Sequence, residues 1–249
     1  MKRKITKVKV LLQGAALAFL LLVPACQQAP EYVPVQPEYD DILANAGEIH
    51  NQMIAHYYAH RTASSPTPEL MFRELMDLSF RYLAAQGYGE TSLRDARARV
   101  EQAYAPSPLK GTGGQGFSTD PDTFADQLNA TGLFSKQFVK EIDKLLSLAK
   151  KKNDGNEIRK YVNGVFAGVQ FDREKDREAQ RLFIDIFNGS CEYWDRHNAS
   201  SLKGTQLKPS SWVIINDGIG GILGMVFGPV GSIVTATVFS VGTNEEIKD

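Results

Sequence analysis

The sequence predicts a mainly α protein: a helical, bundle-like body that ends in a Gly-rich apolar hairpin of helices or a kinked helix. Three observations predict this. Apolar residues recur at helical spacing through most of residues 39–211. Gly, Pro, Asn and Asp clusters interrupt that periodicity at intervals suited to ordinary helices. The last long segment, 218–243, has no charged residue and carries a small residue at every fourth position. No strand is clearly indicated before Trp212, and no repeat of 20 to 50 residues is visible.

The elements follow in order. Asp40 and Asp41 open an apolar-periodic run through Tyr58, acidic residues being favourable at a helix start. Ser65-Pro66-Thr67-Pro68 breaks that run and starts a helix with one stripe, Met71, Leu75, Leu78 and Tyr82; Gln86-Gly87 ends it. A third, more charged helix is expected from Thr91 to Tyr104. Residues 105–118 combine two prolines with four glycines and read as a linker between an N-terminal helical half, 39–104, and a second half, 119–211. Thr119-Asp120-Pro121 opens the second half. Phe134, Phe138, Ile142, Leu145 and Ala149 form its next stripe, closed by Asn153-Asp154-Gly155. An amphipathic segment is expected over Ile158–Phe171. The longest covers Asp176–His197, with Ala179, Leu182, Phe183, Ile186, Ser190 and Trp194 on one side, widened by Phe187 and Tyr193.

The N-terminus carries an address. Lys2, Arg3, Lys4, Lys7 and Lys9 precede an apolar run from Val10 to Val23, and Val23-Pro24-Ala25-Cys26 follows. This order marks residues 1–25 as a secretory signal peptide. With a cysteine at the cut, the stretch resembles a bacterial lipobox. That resemblance implies cleavage before Cys26, lipidation of its thiol, acyl chains such as palmitate, and a mature protein tethered to a membrane. By the same resemblance, Gln27 implies sorting to the outer membrane, on the periplasmic or the surface face. Several acyl chains bind a bilayer durably, each buried methylene contributing about 0.8 kcal/mol. Residues 26–38 hold three prolines within QQAPEYVPVQPE and read as an extended tether.

Composition narrows the partners. The formal charge is −1, and removal of residues 1–25, with five basic and no acidic residues, leaves −6. Mild acidity argues against a nucleic-acid partner and against adhesion to anionic lipid through a basic patch. Only two cysteines exist. Lipidation of Cys26 leaves Cys191 without a disulfide partner; without lipidation a Cys26–Cys191 bridge is open.

The C-terminal segment, 212–243, carries Gly220, Gly224, Gly228, Ser232, Ala236 and Ser240 in strict four-residue register, followed by an acidic tail, 244–249. Small side chains let helix backbones approach closely. The register is a glycine zipper, and it resembles the Gly-rich apolar tails of small secreted bacteriocins and other membrane-associated glycine-zipper proteins. Three structures compete: a membrane-inserted helix, long enough for about 30 Å of hydrocarbon; two short helices, Asp217–Phe227 and Val230–Val241, joined at Gly228-Pro229; or a strand over the β-branched run Ser232–Val241. The hairpin or kinked helix is preferred because the register crosses Pro229 unbroken. Packed into the helical body, such a hairpin would be core rather than membrane.

Chemistry-bearing residues are sparse. His56 and His60 are four apart and share a helix face, the spacing of a two-histidine metal half-site. His50 projects about 240° from His56 on a straight helix and does not join them. The intervening Tyr57, Tyr58 and Ala59 lack the Glu of the metalloprotease pattern, so an ordinary His/Tyr surface is the simpler account. Gly111-Thr112-Gly113-Gly114-Gln115-Gly116 fits GxGxxG but follows no strand, so it reads as linker. Cys191 and His197 are six residues apart and fall on opposite sides of a helix, which favours a structural cysteine.

The expectation is a non-enzymatic, lipid-anchored cell-envelope protein without a cofactor. It would interact with protein or membrane through helix packing along the 212–243 ridge, in cis or by self-association. The alternatives are a bacteriocin-like membrane-active antagonist, and an envelope hydrolase or metal-binding protein using the His56/His60 face.

Overall fold

The computed structural model describes residues 36–62, 67–104, 121–152, 155–200 and 211–246. The signal peptide, Cys26, most of the tether, the Ser65-Pro66 and Thr119-Asp120 pairs, the 105–118 linker with its glycine motif, Asn153-Asp154 and residues 247–249 lie outside the described residues.

Helix α1, Gln36–His60, starts inside the expected tether, with Pro37 in the first turn, where its missing N–H leaves no gap. Its path breaks at Asn45, which has non-helical φ −135° and ψ 22°. The break frees the next backbone N–H groups, and a carboxylate from another helix takes them. Gly47 N donates to Asp185 Oδ2 at 2.7 Å, and Ala46 N–H donates to the same side chain.

Helix α2, Pro68–Ala85, is capped by Thr67, whose hydroxyl accepts from Leu70 N at 3.3 Å. Gly87 ends it at φ +89°, the left-handed position a Schellman closure requires, with Gly87 N bonded to Ala84 O and Tyr88 N to Leu83 O. Its buried face is Leu75, Met76, Ser79, Phe80 and Leu83, not the expected stripe: Met71, Leu78 and Tyr82 are half-buried. The spacing rule gave the right period but the wrong phase, because Met71 and Leu78 pack at the margin beside Tyr57 and Val241.

Helix α3, Glu90–Tyr104, buries Leu93, Ala96 and Val100 under an otherwise charged surface. A 3-10 turn at Pro121–Thr123 leads into α4, Phe124–Thr131, and then α5, Lys136–Lys152. All five residues of the stripe expected there are buried. Ser135 caps α5 by accepting from Phe138 N at 3.1 Å, and its own N–H donates to Asp176 Oδ1 at 3.0 Å. Helix α6, Gly155–Gly164, stops earlier than the expected segment and is followed by a 3-10 turn, Phe166–Gly168. Gln180 holds that turn, donating to Phe166 O at 2.6 Å and Val169 O at 3.0 Å.

Helix α7, Glu174–Ser200, is the longest, and each apolar residue expected on its inner face is buried. Helix α8, Ser211–Gly224, a 3-10 turn, Met225–Phe227, and helix α9, Gly228–Glu246, complete the chain. Helices α8 and α9 fold back on each other as an antiparallel hairpin, its open end joined by Asn216 Nδ2 donating to Thr243 Oγ1 at 2.9 Å. Gly228 turns the chain at φ +87°, and Pro229 occupies the first turn of α9.

Among the described residues there is no strand. The run Ser232–Val241, one candidate for a strand, is helical. Two of its hydroxyls bond within the helix, Ser232 Oγ donating to Gly228 O at 3.1 Å and Thr237 Oγ1 to Ile233 O at 2.9 Å, while those of Thr235 and Ser240 do not. Enclosure on all sides overrides the β preference of Val, Ile and Thr.

The hairpin is the centre of the body. Helices α1, α2 and α3 close over α9, while α4 and α7 close over α8. Helix α7 also crosses α1, so the N-terminal and C-terminal halves share one core. A helix apolar all round is stable in water only when well covered, and α8 and α9 are buried along most of their length, with Trp212, Ile214, Phe227 and Val238 partly exposed.

Candidate functional site

The close approaches sit on glycines. A Cβ on Gly224 would lie 2.6 Å from Gly231 O and from Ser232 Cα; on Gly220 it would lie 2.9 Å from Phe239 Cβ and Thr235 O. These two zipper residues of α8 therefore face the backbone of α9. Ala236 and Ser240 are buried on α9, and Gly228 forms the turn rather than a contact ridge. Glycines outside the register do similar work against the cover. A Cβ on Gly218 would meet the Phe183 ring at 2.6 Å, and one on Gly221 would meet Ile186 Cδ1 at 2.5 Å.

Polar groups converge where the hairpin meets α1 and α7. Asp217 of α8, Ser190 of α7 and His50 of α1 are each fully buried. Ser190 Oγ donates to Asp217 Oδ2. His50 Nε2 stands 3.8 Å from the same carboxylate oxygen, and His50 Nδ1 lies 3.3 Å from Asn51 Oδ1. Asn51 in turn donates to Gly189 O at 2.8 Å. Neither His50 Nε2 nor Asp217 Oδ1 completes a hydrogen bond with a described residue.

Burial sets the protonation of this cluster. It pushes the Asp217 carboxyl up to about 8, against the opposing hydroxyls of Ser190 and Ser240. It pulls the His50 imidazole down to about 4, against the opposing Asn51 side chain and Ala236 backbone. Near neutrality both groups are largely uncharged.

The cluster holds Ser, His and Asp but not the arrangement of a nucleophilic triad. There the imidazole stands between hydroxyl and carboxylate to take the proton; here the carboxyl stands between hydroxyl and imidazole. With all three side chains closed off from solvent, no substrate reaches them.

His56 and His60 stack on the last turns of α1, ring centroids 4.1 Å apart and tilted by 33°. His60 Nδ1 lies 2.8 Å from His56 O, and the His56 ring also neighbours Tyr82. Burial and then the neighbouring His60 hold His56 below its ordinary value. Among the described residues no group of three His, Cys, Asp or Glu is placed to hold a metal ion. Cys191 is buried, and burial pushes its thiol up despite the nearby Arg159 guanidinium, which suits a protonated core residue and not a nucleophile.

A groove of about 610 Å³ separates α1 from α7 beside Gly47 and Gly189. Several of its polar side chains bond along their own helix or outward: Arg196 to Glu192 at 3.1 Å, Gln52 to Glu48 at 2.9 Å, and Asn188 to Asn163 of α6 at 3.0 Å.

Sequence reasoning missed the His50–Asp217–Ser190 cluster. It read His50 only against His56 and placed Ser190 in an apolar stripe. Asp217 carried one signal: it is the only charged residue between Trp212 and Thr243. Comparison with family models, with curated proteins and with solved structures returns no match.

Proposed function

We propose that this chain is a non-enzymatic, lipid-anchored cell-envelope protein that meets a protein or membrane partner through its 212–243 hairpin once the surrounding helices move aside. One observation carries the reading. The apolar side chains of the hairpin lie mostly inside, while among the described residues only Leu70 and Val165 are large apolar side chains with more than half their surface exposed. Among the described residues the outer surface therefore shows no cluster of strongly exposed large apolar side chains of the kind that marks an interaction site. The stretch Trp212–Asn244 is long and apolar enough to cross a bilayer, but here it is folded in two. Its arms, 14 and 19 residues long, reach about 21 and 28 Å, so the folded hairpin is a core element in this state.

Support for the lipid anchor is the 1–26 signal alone. The bacteriocin-like reading draws on the same stored hairpin, which has no charged residue from 218 to 243. The hydrolase or metal reading rests on His56 and His60 alone.

The test is flotation of the mature chain with liposomes, using Cys26→Ala to remove the lipid and Gly224→Leu to force the hairpin from its seat. Cys26→Ala is expected to stay in the soluble fraction. Cys26→Ala with Gly224→Leu is expected to float with the vesicles or to capture a partner, whereas mere aggregates sediment. If the double variant does neither, the hairpin is only a core element and the reading fails. Release of trapped dye on flotation would select the membrane-active antagonist.

A further inference from the structure

We propose that His50, Asp217 and Ser190 form a proton-controlled latch between the hairpin and its cover: closed while the cluster is neutral, and released when Asp217 loses its proton to solvent. This rests on the reading that the hairpin acts once uncovered.

Position carries the argument first. Asp217 is the only ionisable acidic or basic side chain the hairpin presents between Trp212 and Thr243, and it meets the cover as well as Ser240 of the hairpin's other arm. Ser190 of α7 binds it directly and His50 of α1 faces it at 3.8 Å, so one carboxyl joins the hairpin to both helices whose crossing links the two halves of the body. Apart from Asn244 Nδ2, which donates to Tyr58 OH of α1 at 2.6 Å, the hairpin's other contacts with the cover are mainly apolar, such as Gly221 against Ile186 and Phe239 against Phe124. Apolar contacts do not respond to pH, whereas a buried carboxyl does.

The surroundings leave an ionised Asp217 poorly compensated. Helix α1 contributes His50, with Asn51 beyond it. Helix α7 contributes the Ser190 hydroxyl and the Cys191 thiol, and the thiol itself is pushed up in part by Asp217. Behind Cys191, the Arg159 guanidinium of α6 is paired with Asp195 at 2.9 Å. Helix α9 offers the Ser240 hydroxyl and the Ala236 backbone, and no charged side chain from 228 to 243. A neutral imidazole and hydroxyls can accommodate a protonated carboxyl. Among the described residues the one cation within reach of a bare carboxylate there would be a protonated His50, which burial disfavours, and opening the cover restores the carboxylate to water.

Cys191 is the reporter, because it is buried beside the latch and is the sole thiol once Cys26→Ala is introduced. The mature chain would be labelled with a maleimide at pH 6.5 and pH 8, with Asp217→Asn measured alongside so that the pH dependence of the thiol cancels. Since Asp217 titrates near 8 when folded and near 3.8 when released, the labelling ratio of wild type to Asp217→Asn is expected to rise about tenfold across this interval. A ratio constant within about twofold would overturn the latch. Should Asp217→Asn fail to fold, wild type normalised to the urea-unfolded chain at each pH must show the same rise, or the latch is wrong. The measurement needs neither partner nor membrane, so its failure is distinct from failure of the flotation test.

Discussion

Gly47 of α1 and Gly189 of α7 cross at backbone contact: a methyl group on Gly189 would lie 2.7 Å from Gly47 Cα, and one on Gly47 would lie 2.3 Å from Asp185 O. No flexible side chain is available there to move away. Gly189→Ala is expected to destabilise the fold by about 1–3 kcal/mol, although alanine favours a helix by up to about 1 kcal/mol over glycine. Urea unfolding of the single variants checks this. A Gly189→Ala protein as stable as wild type would mean the two helices do not cross this closely.

Within the hairpin, Gly224 and Gly242 should respond in opposite directions. A side chain on Gly224 collides with the α9 backbone, whereas a Cβ on Gly242 meets nothing within 4 Å. Gly224→Ala is expected to cost about 1–3 kcal/mol, and Gly242→Ala to stabilise by about 0.5 kcal/mol through helix propensity. Thermal midpoints of the two variants measured together test the hairpin register.

Stability should follow pH through two opposed groups. Asp217 is raised from 3.8 to about 8, so its stabilising contribution is complete at low pH and is lost as pH rises toward 8. His50 is lowered from 6.5 to about 4, so its contribution is complete above 6.5 and is lost as pH falls toward 4. Between about 4 and 6.5 the two slopes oppose and the pair's effect is nearly level. From pH 6.5 to pH 8 the carboxyl dominates, and stability is expected to fall by about 1.4 kcal/mol. Urea midpoints across this interval should drop in wild type and stay level or rise slightly in Asp217→Asn.

The kink at Asn45 depends on Asp185. That carboxylate accepts from Gly47 N, and removing it leaves helix-terminal N–H groups without their partner. Asp185→Ala is expected to cost about 1–2 kcal/mol, in the range of an N-cap loss. Amide exchange at Ala46 and Gly47 should accelerate more than exchange in the middle of α7. Equal acceleration everywhere would assign the loss to general destabilisation instead.

The His56 and His60 pair should be dispensable to the fold. Both sit toward the surface at the end of α1, and replacing them with alanine is expected to change stability by less than about 0.5 kcal/mol each. Metal analysis of the purified protein before and after His56→Ala plus His60→Ala decides their use. Bound metal that disappears in the variant would revive the metal-binding reading.

Local pattern determined much of this protein. The period of apolar residues marked α5 and α7 with their buried faces, and Gly228-Pro229 marked the hairpin turn, because helix spacing and turn chemistry act over a few residues. The small-residue register showed that some backbone must come close in the C-terminal segment. Tertiary structure alone decided what it meets. Gly220 and Gly224 face α9, Gly218 and Gly221 face α7, and the hairpin sits inside instead of outside. The β-branched run became helix for the same reason, since burial among helices outweighs local preference. The phase of α2 was misread because a marginal position and a central one look alike in an isolated stripe. The cluster of His50, Ser190 and Asp217 spans residues 140 and 27 positions apart on three helices. No spacing rule links such residues, and only the crossing of α1 with α7 over α8 brings them into one enclosure, where the loss of water fixes their charge.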